Sequence, residues 1–127
     1  MNLQQIIRDF WVDVAAQNAD KMRIYFTDNA IINWHNSNES FHLEEYIKAN
    51  CEYPGDWSVE VERLEQKENL IISVARLQIV GTDTVFRVTS FFEFRDNKIA
   101  ALDEYWGDEG LAPQWRRDMQ LGRKIRE

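Results

Sequence analysis

Past Pro54-Gly55-Asp56 the spacing of apolar residues changes from three-and-four to two, and this switch confines the chain to helices packed on a sheet. Before it, Leu3, Ile6, Ile7, Phe10, Trp11 and Val14 recur at helical intervals and make one apolar stripe from Asn2 to about Gln17. Asn18 is placed to cap a short second helix carrying Met22, Tyr25 and Phe26, which Thr27-Asp28-Asn29 should stop. The chain then runs extended from Ala30 to Trp34 and crosses a polar loop at Asn36-Ser37-Asn38. After Phe41 a third helix fits Leu43, Tyr46 and Ile47, with Glu45 placed to close a capping box. Beyond the switch, β-branched and aromatic residues dominate Trp57–Leu64, Leu70–Val80, Thr84–Phe94 and Lys98–Trp106. The connectors Glu65–Asn69, Gly81-Thr82-Asp83 and Arg95-Asp96-Asn97 are short enough for hairpins, so the expected sheet is an antiparallel meander.

The last hairpin sorts the side chains. A type I turn with Asn97 left-handed as a bulge sets Phe94 opposite Lys98. Alternation then puts Phe86, Val88, Ser90, Phe92 and Phe94 on one face, opposite Trp106, Glu104, Leu102, Ala100 and Lys98. The other face carries Arg87, Thr89, Phe91 and Glu93 opposite Tyr105, Asp103, Ala101 and Ile99. The first face is the apolar one and should meet the helices, with Glu104 as its one acidic member.

A length of 127 residues fits one domain, 1–127, since such a chain buries one core. No apolar run approaches a membrane span, and Met1 to Gln5 show no basic-then-apolar leader, so the expectation is a soluble, cytoplasmic protein. Cys51 is the only cysteine, which excludes an internal disulfide. A net charge of -7 disfavours nucleic acid. Residues 108–127 nonetheless carry Arg116, Arg117, Arg123, Lys124 and Arg126 with Trp115, a basic tail expected to fold onto its acidic neighbourhood and to cover a pocket mouth.

Three landmarks give the chain a relative. They are Tyr25-Phe26-Thr27-Asp28-Asn29-Ala30 entering the first strand, Phe92-Glu93-Phe94-Arg95-Asp96-Asn97-Lys98-Ile99 at the last hairpin, and Glu104-Tyr105-Trp106-Gly107 closing the sheet. With the element order, they resemble the nuclear transport factor 2-like superfamily, in its SnoaL-like and steroid-isomerase branches. The resemblance implies an α+β cone with a pocket between the helices and a concave antiparallel sheet, and a homodimer through the outer sheet face. It implies no single chemistry, because the superfamily hosts isomerases, cyclases, dehydratases, epoxide hydrolases and binding domains. Ketosteroid isomerase needs an aspartate base and a tyrosine with a protonated aspartic acid as oxyanion donors. Those positions fall on Trp34, Phe10 and Ser90, none of which keeps the required group.

Glu104 is the candidate for catalysis, because a carboxyl on an apolar face has a raised pKa and can act as acid or base near neutrality. The structural reading is a carboxylate that accepts an indole N–H or pairs with Arg116 or Arg117. Trp34, Phe86 and Trp106, with Phe10, Ser90 and Trp115, are the candidate ligand contacts, weighed against ordinary core packing. His35, Glu39 and His42 straddle a loop and lack a third strong ligand, so no metal is expected, and no cofactor motif is present. Arg87 and Asp103 are expected on the outer face, which argues against the Asp-Arg-Asp set of the family's epoxide hydrolases. Arg76, Arg87, Thr89, Phe91 and Tyr105 there have an interface composition. The expectation is a domain binding a small, partly apolar molecule. The alternatives are a small-molecule enzyme using Glu104 and a dimeric association module.

Overall fold

The computed structural model describes residues 2–127, in which the N-terminal stripe becomes α1 (Leu3–Ala15). Asn2 caps it by accepting the Gln5 N–H at 3.1 Å. Its end is a Schellman turn: Gln17 is left-handed at φ 54°, and Gln17 and Asn18 donate backbone N–H groups to the carbonyls of Val14 and Asp13. Glycine would relax that backbone, but the Gln17 side chain donates to the carbonyls of Asn50 (2.9 Å) and Tyr53 (2.7 Å), tying this corner to the end of α3 (Leu43–Cys51).

Asn18 caps α2 (Ala19–Ile24) as expected, accepting from Lys21 N. Two assignments just after it need correction. Phe26 is not helical; it opens β1 (Phe26–Trp34). Thr27-Asp28-Asn29 does not end the helix but lies within that strand, where the pairing with β6 (Lys98–Asp108) slips between Phe26 and Ile31. Short polar side chains that bond one another, as Thr27 Oγ1 does with Asn29 Oδ1, interrupt a ladder as readily as they end a helix. A four-residue strand, β2 (Glu39–His42), was not foreseen, being too short to show a period. His42 then begins α3, and Glu45 accepts its backbone N–H at 2.9 Å.

Strands β3 (Trp57–Lys67), β4 (Leu70–Ile79), β5 (Val85–Arg95) and β6 form the expected meander. Gly55 admits the chain to it: at φ +108° it sits where a Cβ would meet Ile79 Cγ2 at 2.8 Å. The six-stranded sheet runs β2-β1-β6-β5-β4-β3, with β1 parallel to β6 and all other pairs antiparallel. Helix α1 packs on β3 and β4, and α3 on β1 and β2, so one face of the curved sheet is covered.

The last hairpin departs from expectation in register, and in facing only next to the turn. Asp96 and Asn97 are both left-handed (φ 51° and 63°), the geometry of a two-residue I′ turn, and Arg95 pairs with Lys98. One residue later the register shifts: Phe94 opposes Ile99 while Glu93 opposes Ala101, leaving Ala100 as the extra residue of a bulge. Ile99, assigned to the outer face, is therefore buried in the core, and Ala100 loses its inward partner. Beyond the bulge each pair is displaced by two, so Ser90 rather than Val88 opposes Glu104. A two-residue slip preserves parity, and Glu104 still points to the helices. Asn97→Val is expected to cost about 1–2 kcal/mol, and Asn97→Gly to stabilise by up to about 1 kcal/mol, in urea unfolding. Equal stability of the Val variant would contradict this turn.

Within a largely aliphatic core the rings gather around one residue. Phe10, fully buried, meets Trp11, Tyr25, Phe26 and Phe92 edge-to-face at centroid distances of 5.2, 5.7, 5.8 and 5.4 Å.

Candidate functional site

Strand direction gathers the site at one end of the sheet. Strands β1 and β6 finish there while β3 and β5 begin, so Trp34, Trp106, Trp57 and Phe86 converge, and Tyr53 joins them from the turn after α3. The sheet edges and helices do not meet at this end. Between them lies an open cleft of about 630 Å³, floored by Val14, Ala49, Asn50 and Leu77 and edged by Asn36, Ser37, Glu39, Gly107 and Asp108. The rings touch in sequence: Tyr53 and Trp57 at 5.1 Å, Trp57 and Phe86 at 5.8 Å, Phe86 and Trp106 at 6.2 Å, Trp106 and Trp34 at 6.2 Å.

Behind this wall a polar seam crosses the inner face. Register sets Ser73 beside Ser90, Ser90 beside Glu104, and Glu104 beside Trp34, on four successive strands. Ser73, Ser90 and Glu104 have no solvent exposure. Burial of such groups is tolerable only with partners, and each has one. Trp11 Nε1 donates to Ser73 Oγ at 3.1 Å, Ser90 Oγ donates to Glu104 Oε2 at 2.7 Å, and Trp34 Nε1 donates to Glu104 Oε1 at 3.0 Å.

The Glu104 pKa is raised to about 7, because burial strips water from the charged form. The bonds from Ser90 and Trp34 pull it back down, and so does a weaker attraction from the Trp106 N–H, which completes no hydrogen bond. Burial, and then the Glu104 charge, hold the Tyr46 hydroxyl well above its ordinary value. Near neutral pH the carboxyl is thus a proton store, one wrapped in side chains rather than open to the cleft.

The SnoaL-like domain model matches residues 7–102. The chain belongs to the SnoaL-like family. No curated protein sequence matches it. Solved structures similar to this SnoaL-like domain share its fold. A candidate ketosteroid isomerase from Kribbella flavida superposes with a TM-score of 0.80 at 17% identity, over 98% of this chain and 90% of that one. A nuclear transport factor 2-like protein of unknown function from Burkholderia xenovorans gives 0.77 at 25% identity, over 97% and 94%. A candidate SnoaL-like polyketide cyclase from Shewanella putrefaciens gives 0.70 at 7% identity, over 84% and 80%. The architecture is therefore the nuclear transport factor 2-like α+β fold.

The structure of this SnoaL-like domain places the candidate residues in three groups. Trp34, Phe86 and Trp106 line the cleft. Phe10 and Ser90 do not: Phe10 lies in the aromatic core, and Ser90 faces Glu104 behind the wall. Trp115 sits on α4 (Gln114–Asp118), 59% exposed, and of the tail only Asp108 reaches the cleft. Neither Arg116 nor Arg117 meets Glu104; Arg117 bonds to Ala112 and Gln114 within the tail, so the carboxyl takes the indole partner instead.

On the outer face Arg87 pairs with Glu62 (2.8 Å) and Glu109 (2.6 Å). Asp103 accepts from Asn33 and bonds His35, whose ring stacks on Tyr105. Arg87 and Asp103 therefore stand apart from the cleft. Sequence reasoning missed Tyr53, Trp57, Glu39 and Asp108. The available signal was positional: Glu39 and Trp57 open strands, Asp108 closes one and Tyr53 lies in the turn before β3, so all four collect at one rim.

Proposed function

We propose that this SnoaL-like domain binds a small, partly apolar molecule in the cleft without transforming it. The observation that carries the reading is the division between cleft and carboxyl. The wall offers five rings and a volume inside the usual range of ligand sites, roughly 300–1,000 Å³, while Glu104 is sealed behind it with both oxygens engaged. A residue that acts on a substrate must reach it within hydrogen-bond distance or through one water.

Titration with the neutral fluorophore N-phenyl-1-naphthylamine tests this. Saturable enhancement is expected, and Trp57→Ala should weaken it about tenfold by removing apolar contact. Non-saturable binding, or the same affinity in the variant, would sink the reading.

The enzyme alternative has one observation in its favour, a carboxyl poised near pH 7. It requires the indoles to part so that Glu104 meets a substrate. Turnover of a ketone, an epoxide or a cyclisable polyketide, lost in Glu104→Gln while the fluorophore still binds, would establish it; no turnover across these classes leaves the binder.

A further inference from the structure

The cleft's charge is as uneven as its aromatic content. Among the described residues, those lining it include two carboxylates, Glu39 and Asp108, and no Lys, Arg or His. The chain's net charge of -7 adds a long-range field of the same sign, which repels anions and draws cations to the mouth.

The rings are arranged to use that bias. Tyr53 and Trp57 meet at 68°, Phe86 and Trp106 at 84°, and Trp106 and Trp34 at 72°, so neighbouring walls stand close to perpendicular. Corners of this kind let one compact group touch more than one ring. Two of the cleft's three indole nitrogens are withdrawn from it: Trp34 Nε1 donates to buried Glu104, and Trp106 Nε1 is itself buried. These two tryptophans therefore turn ring carbon rather than N–H towards a ligand, and a cation seated over a ring face in this wall would meet the negative part of its quadrupole. The Trp34 bond to Glu104 enriches that indole further whenever the carboxyl is charged.

We propose that the cleft selects a small alkylated ammonium ion over a neutral molecule of the same shape. The inference deepens the binding reading and rests on it. Exposed carboxylates at the rim contribute little singly, so most of the discrimination comes from the rings, at about 0.5–2 kcal/mol per cation–ring contact. A primary ammonium is held more strongly by water and gives up more hydration against ring carbon; methyl groups spread the charge over a surface the rings can contact.

Choline and its neutral isostere 3,3-dimethyl-1-butanol separate charge from shape. Titrations at constant ionic strength, followed by the tryptophan indole N–H resonances, are expected to give choline at least about tenfold tighter binding. Glu39→Gln combined with Asp108→Asn should weaken choline about threefold, and weaken choline more than N-phenyl-1-naphthylamine; an equal effect on both overturns the cation preference. Trp57→Ala should weaken both. Equal affinity for choline and the alcohol overturns the cation preference while the binding reading stands. Choline that moves no indole resonance also overturns it, and the fluorophore titration then reports separately whether the cleft binds anything.

Discussion

Glu104→Gln is expected to remove the dependence of stability on pH between about 4.5 and about 7, and to make the protein more stable than the parent at pH 8. The Glu104 carboxyl has a folded-state pKa raised to about 7 from its ordinary 4.5 by burial. Below 4.5 it is protonated whether folded or unfolded and burial carries no ionic penalty. As pH rises through the window, the unfolded chain releases the proton first, the folded state holds more protons, and stability falls. At about 1.4 kcal/mol per pH unit the loss is about 3 kcal/mol, complete above pH 7.

Glutamine has the same shape and no proton to lose. Its carbonyl can accept from Trp34, and its amide can donate to Ser90, whose hydroxyl accepts as well as donates. The variant should therefore match the parent near pH 5 and exceed it by about 1–3 kcal/mol at pH 8 in urea unfolding. Glu44, Glu62 and Glu109, each held below its ordinary value by an arginine, lose their contributions only at more acidic pH, outside this window. A parent protein equally stable at pH 5 and pH 8 would rule out the buried, largely neutral carboxyl. Glu104→Leu is the contrasting case: it strands the Trp34 N–H and the Ser90 hydroxyl, and should destabilise at both pH values.

Phe10→Ala should cost about 3–5 kcal/mol, because it empties the centre of the aromatic core and the four surrounding rings cannot all collapse into the space. For a chain of this size that is a fall in melting temperature of roughly 10–20 °C. Trp57, only partly buried at the start of β3, should cost far less stability when replaced by alanine, yet should take most of the fluorophore affinity with it. The pair of variants separates core from cleft. Comparable losses of stability at both positions would mean that the cleft wall is itself structural core.

Phe10 also shows where sequence reading stops. The family resemblance put it at a catalytic position, and its periodicity put it inward; its burial bears out the second without deciding from sequence whether inward means cavity or core. Ser90 is the same case. What settles each is the neighbour supplied by another element, Phe92 and Phe26 for one, Glu104 for the other.

Local spacing determined the longer elements, the meander, the helix-covered face and the inward direction of Glu104, because periods of 3.6 and 2 are properties of a single segment, while the start of β1 and the short β2 escaped it. Register, the parallel pairing of β1 with β6, and the resulting contact of Trp34 with Glu104 came only from tertiary structure. A period of two fixes the side of the sheet but is blind to a slip of two, and here a tight turn and one bulge produced that slip. The direction of the carboxyl's pKa shift followed from its apolar face, but its full burial with Ser90 and Trp34 as partners came from tertiary structure, since desolvation belongs to the surroundings of a residue and not to its place in the chain.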